Sequence, residues 1–141
     1  MTEDESYNDD GLEEEGALGH VQAYQLAVTL DRVAVDDARR IARDFVLREV
    51  APQLVYAVGS IGARIAEGYP RRSQADRVRY YEYALGSAME SRRWYCTARS
   101  ALPEVVRERL SILASIRRLL MAMIRNDRDG KTWGTPGRRR K

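Results

Sequence analysis

Arginine is the residue type whose number and placement in this sequence indicate a chemical role. The 141 residues include 24 basic ones, of which only Lys131 and Lys141 are lysines. A guanidinium group binds phosphate through paired hydrogen bonds and stacks on flat rings, which a lysine ammonium does not do. We therefore expect contacts with the phosphate backbone of RNA or DNA, without recognition of individual bases. The candidate nucleic-acid-binding residues are Arg71, Arg72, Arg77, Arg79, Arg92, Arg93, Arg99, Arg117 and Arg118.

The same arginines have an ordinary alternative role on the surface of helices. Guanidinium groups pair there with carboxylates three or four residues away, and several acids are available for this, namely Glu82, Glu90, Glu104 and Glu108. Under this hypothesis the basic composition describes solvated helix faces, and no polyanionic partner is needed. Both hypotheses stay open, and we expect some of the arginines to be used in such pairs.

The charge is distributed unevenly along the chain. Residues 1–19 contain eight acids and no lysine or arginine. The remaining residues hold all 24 basic side chains and 13 of the 21 acids, so their net charge is +11, whereas that of the whole chain is +3. We expect the acidic segment to compete with a polyanion for the basic surface.

Few residues could support metal, redox or covalent chemistry. His20 is the only histidine, so a bundle with a di-metal site of the Glu-x-x-His kind would lack its ligand pairs, and we expect no metal and no cofactor. Cys96 is the only cysteine, which excludes an internal disulfide, and it is predicted to be a core thiol. Trp94 and Trp133 could stack on bases, although packing or an interface is favoured for Trp94.

Two carboxylates could be imagined as a general acid and base, Glu67 and Glu90. A satisfied structural network that joins them to Ser60 and Ser87 is the favoured alternative. We therefore predict a noncatalytic protein and keep an enzyme as a weak third hypothesis.

The elements that must position these side chains are helices. Apolar residues recur near the helical period in four segments, and no segment has the alternation of a strand. The connections are short, so neighbouring helices should run in opposite directions. We predict an all-α, antiparallel up-and-down four-helix bundle, with a break near Asp36 as an alternative and with Ser73 as an N-cap. The predicted helices lie at about 20–47, 52–68, 73–100 and 103–126.

The bundle is predicted to occupy residues 20–127, between two tails. Residues 1–19 are rich in Asp, Glu and Gly and predict a disordered acidic tail, whereas residues 128–141 lack periodicity and predict a flexible basic tail. No apolar run approaches the roughly 20 residues that span a bilayer. The acidic N-terminus has no features of a targeting peptide. We expect a cytoplasmic protein without membrane contact.

The second predicted helix carries small residues and one acid near its end. Gly59 and Gly62 each destabilise a helix by roughly 1 kcal/mol relative to alanine, so we infer a close approach of a neighbouring helix. Glu67 lies in the last turn, where the helix dipole disfavours a negative charge, and is predicted to pair with Arg64 or with an arginine of the third helix. Gly68 is the predicted helix stop. The predicted core stripe is Leu54, Ala57, Val58, Ile61 and Ile65.

The third and fourth helices have more apolar surface than one neighbour would cover. Apolar residues, Met121 among them, cover roughly 200° of the fourth helix, wider than a surface helix needs, and Arg109 and Arg117 interrupt this arc. The third helix has two apolar stripes, one containing Met89 and one containing Tyr80. This excess favours self-association through another copy of the chain. The alternative is that the first helix and the tails cover it within one subunit.

Two segments resemble a known family, the small four-helix-bundle proteins encoded in intervening sequences of bacterial large-subunit rRNA genes. Relatives of that family include Avd, the accessory variability protein of diversity-generating retroelements. In QLVYAVGSIGARIAEGYPRRS the matching positions are Gln53, Leu54, Ala57, Ser60, Ile61, Ile65, Ala66, Glu67, Gly68, Tyr69, Arg72 and Ser73. In YALGSAMES they are Ala84, Gly86, Ser87 and Glu90. The resemblance extends over about residues 20–126, and its motif residues are Gln53, Ser60, Glu67, Gly68, Gly86, Ser87 and Glu90.

The resemblance implies more than the residues show by themselves. It implies a ring-like homopentamer with a basic surface and, for the Avd-like members, binding to nucleic acid and to a partner reverse transcriptase. The chain also departs from the family pattern, because Val55 and Tyr56 stand where the family has paired arginines and Arg64 stands where it has asparagine. Any nucleic-acid contact made by those arginines is missing or moved here. A self-assembling protein-interaction scaffold without a nucleic-acid role is the alternative function.

Overall fold

The protein is built from four α-helices, without a strand, over the part of the chain that the structure describes. The structure is a computed structural model, and it describes residues 21–130. A short 3-10 helix, Arg99–Ala101, lies between the third and fourth α-helices. The four helices are α1 (Gln22–Ala42), α2 (Val50–Gly68), α3 (Gln74–Thr97) and α4 (Val106–Arg128). The all-α class is confirmed. The predicted tail of residues 1–19 lies outside the described residues, as do residues 131–141 of the predicted tail 128–141, whereas Arg128 belongs to α4.

One apolar core lies between the helices. Each helix packs on its neighbours in the chain, and α1 also contacts α4, so the four helices form a bundle. The predicted core stripe of α2 is confirmed, because all five of its residues are buried. Fully buried side chains come from every helix and include Leu30, Ile41, Leu54, Ile61, Ile65, Tyr95, Ile116 and Leu120.

α1 is shorter than predicted and is continuous. It passes through Asp36 without a break and ends at Ala42, about five residues before the predicted end. The Asp44 carboxylate accepts a hydrogen bond from the Val46 amide at 2.9 Å, which holds a turn in place of a further helical turn. Phe45, which continued the apolar period, therefore lies in this turn with 83% of its surface exposed.

The connection between α2 and α3 has the predicted N-cap and the predicted helix end, but the glycine at that end has a different role from the one predicted. The Ser73 hydroxyl accepts a hydrogen bond from the Asp76 amide at 3.3 Å, so the predicted N-cap is confirmed. α2 ends at Gly68 as predicted, but the next residue, Tyr69, keeps helical angles and no left-handed turn is present there. A Cβ added to Gly68 would lie 2.5 Å from the Tyr80 Cβ. This glycine therefore serves the close approach of α3.

The other two glycines of α2 are less tightly enclosed. A Cβ at Gly59 would lie 3.6 Å from Asp31 Oδ1, and one at Gly62 would lie 3.7 Å from the Ala27 Cβ. Both are ordinary van der Waals distances. The prediction of a close helix approach at these two glycines is therefore wrong at both positions, and the position that requires a glycine is Gly68.

A buried polar cluster explains the arginine that interrupts the apolar arc of α4. Arg109 donates to both carboxylate oxygens of Asp37, at 2.8 and 3.2 Å, and the Tyr95 hydroxyl donates to the same carboxylate at 2.7 Å. Burial, followed by the hydrogen bond to Asp37, raises the pKa of Tyr95. One carboxylate thus joins helices α1, α3 and α4. Its buried charge is tolerated because it is paired and hydrogen-bonded.

Candidate nucleic-acid interface

Eight of the nine candidate arginines are exposed, and one is not. Arg77 is 4% exposed, and its guanidinium lies 3.0 Å from the Asp127 carboxylate. The same guanidinium also donates to the backbone carbonyls of Arg71 and Arg72, at 2.8 and 3.0 Å. The prediction that Arg77 binds nucleic acid is corrected on this ground, because a buried and fully paired guanidinium is not available to a phosphate.

Three of the exposed arginines converge on one groove between α3 and α4. We call this the arginine groove, and its volume is about 510 Å³. Arg92 reaches it from α3, whereas the neighbouring Arg117 and Arg118 reach it from α4. The groove is lined by Ala88, Met89, Arg92, Leu113, Ala114, Arg117, Arg118 and Met121.

Among the described residues, no acid compensates the charge of the arginine groove. Within residues 21–130, no carboxylate pairs with Arg92, Arg117 or Arg118, and Arg118 donates only to the Ser115 hydroxyl, at 3.1 Å. The floor is apolar, since Leu113 and Ala88 are almost completely buried. Three guanidinium groups above an apolar floor form a local charge of +3. Such an arrangement can take phosphate oxygens while the arginine stems lie along apolar surface.

Two methionines of this groove were predicted to lie in apolar stripes and are exposed. Met89 is 57% exposed and Met121 is 44% exposed. Their role in the groove was missed, although a signal exists in the sequence. Met89 lies three residues before Arg92, and Met121 lies three and four residues after Arg118 and Arg117, so each shares a helix face with a groove arginine.

The other exposed candidates have contacts within the chain. Arg71 donates to the backbone carbonyl of Glu67 at 3.2 Å and to the Tyr80 hydroxyl at 3.1 Å. Arg79 lies 4.0 Å from the Asp76 carboxylate. Arg99 donates to the Cys96 carbonyl at 3.1 Å, Arg93 lies over the Trp94 ring at 5.6 Å, and Arg72 is exposed in the turn between α2 and α3. The structure therefore places these five apart from the arginine groove.

The motif residues act mainly within their own helices. The Ser60 hydroxyl donates to the Tyr56 carbonyl at 2.8 Å, and Glu67 pairs with Arg64 at 3.5 Å, one of its two predicted partners. Glu90 accepts a hydrogen bond from the Trp94 indole at 3.4 Å. The predicted network across the helices is wrong, because no hydrogen bond among the described residues joins the carboxylates of Glu67 and Glu90 to the hydroxyls of Ser60 and Ser87. Gln53 and Gly86 are exposed.

Among the described residues, neither a metal-binding cluster nor a membrane-spanning helix is present. Over residues 21–130 no group of three or more His, Cys, Asp and Glu side chains is placed to hold a metal. Cys96 is half-buried and unpaired with another cysteine. None of α1 to α4 is long and apolar enough to cross a bilayer.

Comparison with known proteins assigns the family. No curated protein and no solved structure matches the chain. The family model described as 23S rRNA-intervening sequence protein matches residues 20–121, which is more than two-thirds of the chain. The match includes the QLVYAVGSIGARIAEGYPRRS segment, and it ends within α4, beyond all three groove arginines. On these grounds the chain belongs to the 23S rRNA-intervening sequence protein family.

Proposed function

We propose that this protein is a noncatalytic, oligomeric accessory protein that binds the phosphate backbone of RNA or DNA. The observation that carries the proposal is the convergence of Arg92, Arg117 and Arg118 on one groove where no described carboxylate neutralises them. Phosphate contact of this kind depends on charge and shape, and the base sequence has little influence on it.

The arrangement of the subunits belongs to the same proposal. Within each subunit the helices run antiparallel, and two sets of contacts support this. Arg77 near the start of α3 pairs with Asp127 near the end of α4. Tyr95 near the end of α3 and Arg109 near the start of α4 share one carboxylate. The subunits form a ring-like homopentamer, which rests on the resemblance. Copies of a groove around a ring would bind a polyanion multivalently.

We also propose a location and a partner like those of an Avd-like protein. The protein acts in the cytoplasm beside a reverse transcriptase, and this partner rests on the resemblance to Avd alone. A neighbouring reverse-transcriptase gene would support it, whereas co-purification of the two proteins would test it. The mass in solution tests the oligomer, because a monomer at working concentrations contradicts the ring.

Charge-matched variants test the nucleic-acid site. The double variant Arg117→Gln/Arg118→Gln should weaken binding to a duplex DNA probe about tenfold, measured by fluorescence anisotropy at low salt. The control is Arg32→Gln/Arg39→Gln, which removes two exposed arginines from α1, a helix that does not line the groove. Equal loss of affinity in both double variants would show that only net charge matters and would contradict the site.

A protein-interaction scaffold is the second candidate function, and one observation favours it. Phe45 and Val46 are adjacent in the turn between α1 and α2, and each is 83% exposed. Exposed neighbouring apolar side chains are typical of protein contacts. Absence of binding to any nucleic-acid probe at about 50 mM salt would favour this scaffold over the proposed function.

A further inference from the structure

A row of aromatic rings follows the side of α3 that faces α2. Tyr80, Tyr83 and Trp94 fall within about 60° of one another on the helix, and they span about 21 Å along its axis. We call these three residues the aromatic ridge. Tyr83 is 50% exposed, and the other two are half-buried. The rings of Tyr80 and Tyr83 meet edge to face, with centroids 6.0 Å apart.

Every ring of the aromatic ridge has a guanidinium group over it. Arg71 and Arg79 lie 4.8 and 5.7 Å from the centroid of Tyr80. Arg64 of α2 lies 5.8 Å from that of Tyr83, and Arg93 lies 5.6 Å from that of Trp94. Four of the five such contacts in the described residues are on this ridge, and the fifth joins Arg48 to Phe45. The ridge therefore alternates flat aromatic and flat cationic groups, and both can stack on a nucleobase.

The ridge differs from the arginine groove in its charge. Glu67 pairs with Arg64, Asp76 lies by Arg79, and Glu90 accepts from Trp94, so carboxylates lie beside two of the four ridge arginines and beside one of the rings. Attraction to a phosphate backbone is correspondingly weaker here than in the groove. The chemistry that stays available is stacking, which requires unpaired bases whose faces are not already stacked between the base pairs of a duplex.

We propose that the aromatic ridge of α3 binds the unpaired bases of single-stranded RNA or DNA, while the arginine groove on the other side of the same helix holds the phosphate backbone. This inference rests on the proposed function and adds its substrate class. Gly86 supports the path between the two surfaces. It is exposed on the outer face of α3, and a Cβ there would have open space around it. Position 86 itself therefore places no side chain in the way of a strand that crosses the helix.

Substitution of Tyr83 tests the proposal, because this ring is the most exposed of the three. With fluorescently labelled oligothymidylate of about 16 nucleotides as the probe, Tyr83→Leu should weaken binding about fivefold or more. The dissociation constant for a duplex DNA of the same length should change less than about twofold. Tyr83→Phe should bind both probes like the unchanged protein, because it keeps the ring and loses only the hydroxyl.

A matched control lies on another part of the surface. Phe45 is an exposed ring with an arginine 5.5 Å away, but it lies in the turn after α1. Phe45→Leu should therefore leave the affinity for oligothymidylate unchanged. A second readout is the fluorescence of Trp94 in a Trp133→Phe background, which oligothymidylate should quench and duplex DNA should not.

The outcomes separate this inference from the proposed function. If the unchanged protein binds neither probe at about 50 mM salt, the proposed function is overturned and the ridge inference with it. If duplex DNA binds through Arg117 and Arg118 but Tyr83→Leu binds oligothymidylate like the unchanged protein, only the ridge inference is overturned. Equal weakening for both probes would also contradict it, because stacking on Tyr83 is not available to a duplex.

Discussion

At the scale of single residues, the structure depends on charged groups placed where the helices meet. Asp37 is 3% exposed and is the shared acceptor of Tyr95 and Arg109. A buried charge without its partner destabilises a fold far more than a lost surface pair does. The two adjacent aspartates of α1 therefore provide a natural comparison, because Asp36 makes only an exposed pair with Arg39, at 2.9 Å.

Asp37→Asn should lower the free energy of unfolding by about 3 kcal/mol, because it removes the buried counter-charge of Arg109 and leaves only the exposed Glu108 carboxylate, at 3.2 Å. The control, Asp36→Asn, should change it by less than about 1 kcal/mol. Urea denaturation followed by circular dichroism measures both values. Similar values for the two variants would contradict the role given to the buried cluster.

The buried tyrosines predict a loss of stability at alkaline pH. Burial is the main cause that raises the pKa of both Tyr81 and Tyr95, and nearby Asp127 and Asp37 raise them further. In the unfolded chain these hydroxyls titrate near pH 10, whereas in the folded chain they keep their protons. The folded state thus binds more protons above that pH, and its stability should fall by up to about 1.4 kcal/mol per pH unit for each tyrosine.

Urea denaturation between about pH 9 and 11.5 measures this slope, starting near the unfolded-state pKa of 10. Tyr95→Phe should reduce the slope by about half, because one of the two buried hydroxyls is removed. Stability that stays level as pH rises past 10 would contradict the burial of these hydroxyl groups.

At the scale of elements, the spacing of α2 and α3 depends on one glycine. Gly68→Ala would place a Cβ 2.5 Å from the Tyr80 Cβ, which is held close to the backbone of α3. The expected loss of stability is about 1–3 kcal/mol, as for other overpacked sites. Gly86→Ala has open space and should instead raise stability by up to about 1 kcal/mol, because alanine favours a helix. Thermal unfolding of the two variants should give midpoints shifted in opposite directions.

Prediction from the sequence succeeded where the signal was local. The apolar period identified four helices and the core stripe of α2, and the hydroxyl of Ser73 identified the start of α3. The end of α1 was wrong because apolar residues continue past Ala42, whereas the Asp44 carboxylate holds a turn there. Local sequence preferences could not locate the end of this helix, because tertiary packing can override them.

The candidate site was harder to predict for a related reason. Arg77 and Arg92 look alike in sequence, but the first pairs with Asp127, which lies 50 residues away, and the second has no acidic partner in the described residues. Arg109 and Asp37 are separated by 72 residues. Pairing over such separations leaves no local signal, so composition could suggest a basic surface but could not say which arginines form it.

At the scale of the whole molecule, the acidic residues 1–19 stand against the basic remainder of the chain. Removal of these residues deletes eight acids and no basic side chain. The truncated protein should bind duplex DNA more tightly than the full chain at low salt, because a competing polyanion has been taken away. Anisotropy titrations of the two proteins compare the affinities, and equal dissociation constants would contradict the competition.

The salt dependence of nucleic-acid affinity tests most directly whether phosphate groups bind in the arginine groove. Each phosphate contact on duplex DNA contributes about −0.9 to the slope of log affinity against log salt concentration. With Arg92, Arg117 and Arg118 engaged, the slope should be about −3 or steeper, and Arg117→Gln/Arg118→Gln should make it shallower by about two. A slope near zero, or no binding at about 50 mM salt, would contradict the account.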